Sequence, residues 1–147
     1  MWFLVIHALI VGLSFGQKLC LEEVKGVRED PYVEYSLRKT VEKAFLESGY
    51  LLSCEEKSLR AVVRVIHFGE VPIAYTPKQR ISSYNLTLRF EIKINGRILI
   101  AGGSVPYSIP FGGYGDIPRR KAVDDLLDKI YLDLLREIRR LKNADKS

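Results

Sequence analysis

Acid–base or nucleophilic catalysis needs a histidine, thiol, hydroxyl or carboxylate held beside a partner group. This chain is poor in the first two: its histidines are His7 and His67, and its cysteines are Cys20 and Cys54. His67 falls inside the apolar run from Ala61 to Phe68, where a lone histidine is more often structural than catalytic. No Cys-x-x-Cys spacing accompanies the cysteines, so no metal site is expected. In an oxidising compartment, Cys20 and Cys54 form either a disulfide or two separately buried thiols. Asp124, Asp125, Asp128 and Asp133 interleave with Lys129 and Arg136, the pattern of a solvated, salt-bridged helix face. Gly102-Gly103 and Gly112-Gly113 do not stand between a strand and a helix as a phosphate loop would. They read as a strand bulge and a mobile loop. The expectation is a protein without cofactor or catalytic group, one that works by binding.

Binding chemistry is better represented. Net charge is +5, and residues 1–16 contribute none of it, so the remaining chain favours anionic partners. Lys78, Arg80, Arg89, Lys93 and Arg97 lie on one predicted strand pair or on the loop entering it. Phosphate or carboxylate groups are the ligands such cations hold through paired hydrogen bonds. Ordinary solubilising charge is the competing reading, because Glu91 stands between Arg89 and Lys93. Phe111 and Tyr114 occupy a Pro- and Gly-rich segment, expected as a partner-contacting loop or as a loop folded over a helix end.

The elements that must position these residues follow from periodicity. Lys18 to Val27 reads as a short strand. Asp30-Pro31 then starts a helix whose stripe is Val33, Leu37, Val41, Ala44 and Phe45, stopped at Gly49. A brief extended piece covers Tyr50 to Ser53, and a β-branched run covers Ala61 to Phe68. Val71 to Tyr75 continues it past an irregular Gly69, with Pro72 marking an edge or a bulge. From Ser82 to Ile94, apolar and polar residues alternate strictly, giving one buried and one wet sheet face. Asn95-Gly96 is a two-residue hairpin turn into Arg97 to Tyr107. A final helix opens near Asp116 and Pro118, and buries Val123, Leu126, Leu127, Ile130, Leu134, Ile138 and Leu141. The expected fold is α+β, a two-layer sandwich with two helices on one face of a roughly four-stranded mixed sheet.

Residues 2–16 hold no charged side chain and are too short for a span of about 20 apolar residues. A signal peptide ending at Gly16 is the expectation, followed by a single domain over 17–142 and a frayed tail over 143–147. Gln17-Lys18-Leu19 before Cys20 is not a lipobox, so a lipid anchor on Cys20 is not expected.

The order of pieces resembles the family of the lipopolysaccharide-assembly lipoprotein LptE. The likeness is strongest from Pro72-Ile73-Ala74-Tyr75 through Ser82-Ser83-Tyr84-Asn85-Leu86-Thr87-Leu88 to Asn95-Gly96-Arg97-Ile98-Leu99. Arg120 to Leu141 is similar to that family's closing helix, and Leu19 to Phe45 to its first strand and helix. The resemblance implies a non-enzymatic, exported protein at the periplasmic side of, or within, the outer membrane. It would plug and stabilise an LptD-type barrel and bind lipopolysaccharide, with no nucleic-acid partner. The five basic residues above would then be candidate lipopolysaccharide contacts. Another small auxiliary module, of the transport or curli-related type, is the alternative; an exported hydrolase using His67 or Cys54 is a third.

Overall fold

Asp30 and Pro31 open the first helix as their types require. The Asp30 carboxylate accepts the Val33 amide at 3.2 Å, and Pro31 occupies the first turn, where an amide would have no partner. The computed structural model describes residues 16–27, 29–110 and 116–144. Within them run β1 (Gln17–Lys25), α1 (Pro31–Glu47), β2 (Tyr50–Leu52), β3 (Leu59–Tyr75), β4 (Ile81–Ile94), β5 (Arg97–Ser108) and α2 (Asp116–Ala144). Residues 1–15 of the expected leader lie outside the described residues, as do Phe111, Gly112, Gly113, Tyr114 and the last three residues. Among the described residues, no helix is long and apolar enough to cross a membrane.

The sheet has the order β2-β1-β3-β4-β5. β1 runs parallel to both neighbours, while β3, β4 and β5 form an antiparallel meander. The α+β sandwich is as expected, but with five strands instead of four. The fifth is Tyr50–Leu52, which pairs with Gln17–Leu19 at the sheet edge. Three residues carry too little periodicity to be told from a connection; their pairing with β1 makes them a strand.

Both helices pack on one sheet face. Val33, Leu37, Val41, Ala44 and Phe45 of α1 are buried, and so are Ala122, Val123, Leu126, Leu127, Ile130, Leu134 and Ile138 of α2. They meet Leu86, Leu88, Phe90, Ile92 and Ile94 of β4, all buried on the same side. Each such side chain contributes on the order of 1.5–3 kcal/mol by leaving water. The period of two in β4 thus becomes one dry and one open face. Asn95 (φ 49°) and Gly96 (φ 75°) make the tight turn into β5, where both residues need a left-handed backbone.

Two expectations about irregularity are corrected. Gly69 is regular and pairs with Thr87, whereas the shift falls between Val65 and His67, with others between Pro72 and Tyr75. Gly102-Gly103 is not a bulge, since the β4–β5 register runs unbroken from Ser83↔Ser108 to Ile94↔Arg97. A Cβ on Gly103 would meet Leu126 Cδ1 at 3.3 Å and Ile130 Cγ1 at 3.5 Å. The glycine lets α2 approach the sheet closely; it does not bend the strand.

Candidate binding surfaces

The open sheet face is built by strand parity. Arg89 and Lys93 project from β4 on the side opposite the helices, and their direct partners on β5 are Gly102 and Ile98. Between them, Glu91 is 7% exposed and accepts Arg64 Nε from the facing position of β3 at 2.8 Å. The acid that argued for a merely solvated face is therefore neutralised by a neighbouring strand. Between Glu70 and Asp116, Glu91 is the only acidic residue in the chain. Ile98 and Ile100, both about half exposed, stand across from Lys93 and Glu91. Thr87, Arg89, Ile100 and Gly102 line a shallow hollow of about 310 Å³. A planar guanidinium and an ammonium beside exposed isoleucines suit a ligand with an anionic head and an apolar body.

The five basic residues singled out by sequence do not form one patch. Arg89, Lys93 and Arg97 lie toward the β4–β5 turn. Lys78 and Arg80 sit in the turn that joins β3 to β4, closed by Thr76 N–H donating to Arg80 O at 2.7 Å. Nine residues of extended chain, roughly 30 Å at about 3.3 Å per residue, separate Arg80 from Arg89.

A second feature went unforeseen. β1 ends at Lys25 while β3 continues, and the gap is a cleft of about 690 Å³. Val27, Glu29 and Asp30 form one side, β3 residues 65–68 the other, and Arg119 closes an end. Arg119 donates to Asp30 Oδ2 at 2.6 Å and through Nε to Glu70 Oε1, and its guanidinium lies over the Phe68 ring. Tyr107 donates its hydroxyl to Glu70 Oε2. Burial, and then the Glu70 carboxylate, hold the Tyr107 phenol well above its ordinary pKa, so it stays a donor. The only sequence signal was a basic pair, Arg119-Arg120, at a helix start.

Catalytic candidates fare differently. His67 is exposed at the cleft rim, and among the described residues no acid or nucleophile is hydrogen-bonded to it. Cys20 and Cys54 are joined in a disulfide that ties β1 to the β2–β3 connection, so Cys54 offers no thiol. No group of three or more His, Cys, Asp or Glu suited to a metal ion occurs among the described residues.

No family model matches the chain. A protein of Aquifex aeolicus (strain VF5), described as uncharacterized, is 35% identical over 136 residues, which cover 92% of this chain and 93% of the other. Three solved structures share the fold at low identity. A Xanthomonas campestris protein of family DUF330 overlaps with a TM-score of 0.60 at 12% identity, covering 91% of each chain. The rare lipoprotein B of Shewanella oneidensis gives 0.54 at 11%, covering 88% of this chain and 99% of the other. A minor lipoprotein of Acinetobacter baumannii gives 0.50 at 17%, covering 84% and 93%.

Proposed function

We propose, from the premise that the chain belongs to one family with the Aquifex aeolicus protein, that it is a non-enzymatic auxiliary of the bacterial envelope. In this reading it is LptE-like: it docks into an LptD-type barrel and binds lipopolysaccharide on its open sheet face. The observation that carries this is that face itself, where Arg89 and Lys93 flank an acid already held by Arg64, beside exposed Ile98 and Ile100. Lipopolysaccharide presents phosphates next to acyl chains, the same pairing of chemistries. The fold shared with two proteins named lipoproteins agrees with an exported, envelope-associated protein. The exposed setting of His67 and the oxidised Cys54 agree with binding without catalysis.

The test is co-purification from the native envelope with an LptD-like barrel, together with direct lipopolysaccharide binding. Arg89→Glu with Lys93→Glu is expected to weaken that binding at least about tenfold while the fold persists. Reproducible absence of the chain from the barrel complex would sink the reading. The second reading is an auxiliary of another envelope machine, of the transport or curli type, whose anionic ligand the same open face would equally suit. It predicts association with a different machine and unchanged surface lipopolysaccharide on depletion.

A further inference from the structure

The two helices run side by side in the same direction. Tyr32 donates to Asp124 at 2.8 Å near their starts, Lys43 lies over the Tyr131 ring, and Lys142 donates to Ser48 O near their ends. Position in sequence therefore divides their outward surface into two halves. On α2 the first half carries Asp124, Asp125 and Asp128, and the second carries Arg136, Arg139 and Arg140, all exposed. Leu132, Leu135, Arg136, Arg139, Arg140 and Asn143 recur at i, i+3, i+4, i+7, i+8 and i+11, which is one stripe of a helix. It lies opposite the buried stripe that meets the sheet. These six residues line an open hollow of about 470 Å³, and Leu132 in it is 65% exposed.

The acids of this half are engaged or set aside. Asp133 meets Arg136 at 3.8 Å and Glu137 meets Arg140 at 3.2 Å. Both lie a quarter-turn or more round the helix from Leu132. Glu47, at the end of α1, is turned to Tyr131. The outward side of α1 adds Lys39 and Lys43, which rest on the rings of Tyr35 and Tyr131 at 5.2 Å and 4.8 Å, and a half-exposed Leu46. Cations thus surround apolar side chains that stand singly, not as a continuous patch. A protein partner would cover a contact core depleted of charge. Phospholipid headgroups suit the alternative: guanidinium groups take phosphate oxygens in pairs, while their stems and the leucines lie against acyl chains. Asp124, Asp125 and Asp128 are repelled by the same headgroups, so only the second half of the helix layer fits.

We propose that the helix layer docks on an anionic phospholipid bilayer through Arg136, Arg139 and Arg140 around Leu132, with Lys39 and Lys43 beside them. Both helices cover one sheet face, so a chain held this way turns Arg89 and Lys93 on the open face away from that bilayer. This goes beyond the envelope reading above and stands or falls apart from it. Co-sedimentation of the purified chain with vesicles tests it, comparing mixed phosphatidylglycerol and phosphatidylcholine with phosphatidylcholine alone. Binding to the mixed vesicles alone is expected, weakening as salt rises. Arg136→Glu with Arg139→Glu is expected to weaken it at least about tenfold with an unchanged circular dichroism spectrum. Arg89→Glu with Lys93→Glu changes net charge by the same amount on the opposite surface, and is expected to leave vesicle binding within about twofold of the original. Equal binding to both kinds of vesicle, or none to either, overturns the proposal. So does equal weakening by the two charge reversals, which would make net charge the cause, and so does a loss confined to the open-face pair, which would place the docking on the sheet.

Discussion

Arg119 concentrates more of the tertiary structure in one side chain than any residue picked out by sequence. It links the cap of α1 through Asp30, the long strand β3 through Glu70, and β5 through the Tyr107 that shares Glu70. Its side chain and both carboxylates are between 18% and 27% exposed, so solvent screens the network only in part. Replacing Arg119 with Met keeps the aliphatic contact with Phe68 but leaves two carboxylates facing each other without their cation. A loss of about 2–3 kcal/mol in unfolding free energy is expected, read from denaturant midpoints. An unchanged midpoint would show the network to be ornamental. The role was illegible in sequence because the partners lie 49 and 89 residues away. Arg89 and Lys93, by contrast, were legible from strand parity alone. The Arg64 that neutralises the acid between them was not, because recognising it needs the β3–β4 register.

At the level of elements, the sequence was clearest where one face of an element is buried along its whole length. β4 is paired on both sides and covered on one face, so Leu86, Leu88, Phe90, Ile92 and Ile94 are all buried, and Glu91, held by Arg64, is the buried residue of the other face. Both helices show their stripes for the same reason. Edges were harder: β2 is too short to show a period, and β3 changes its neighbours halfway along. Gly103 supplies an element-level test, because α2 lies directly over it. Gly103→Leu must displace Leu126 and Ile130, and is expected to cost about 1–3 kcal/mol. A strand bulge would have tolerated the change; retained thermal stability in this variant would therefore count against the close packing of α2. The disulfide acts on elements too. Cys20 and Cys54 are 34 residues apart and enclose all of α1. Chain-entropy reasoning gives the bond about 3–4 kcal/mol, so Cys20→Ser with Cys54→Ser should unfold at markedly lower denaturant concentration.

For the whole molecule, charge and shape divide the surface into regions with different work. The open face gathers Arg89 and Lys93, Arg97 follows the hairpin turn at that end, and the far turn holds Lys78 and Arg80. Binding of an anionic amphiphile to the open face should weaken steeply with ionic strength, since exposed cations lose reach as the Debye length falls from about 30 Å at 0.01 M to about 8 Å at 0.15 M. Titration across that range measures it; salt-independent affinity would assign the binding to Ile98 and Ile100 alone. The sheet order also fixes when the molecule can be completed. β3, β4 and β5 are consecutive and joined by tight turns, so they can assemble from local contacts, whereas β1 must wait for residues some forty positions later. In a chain made or threaded from its N-terminus, β1 emerges first and docks only once the meander exists. Pulse-labelled hydrogen exchange should therefore protect β3–β5 amides before those of β1. Until that docking, β1 has neither of its strand partners, and the β3 edge opposite it lies open over its full length.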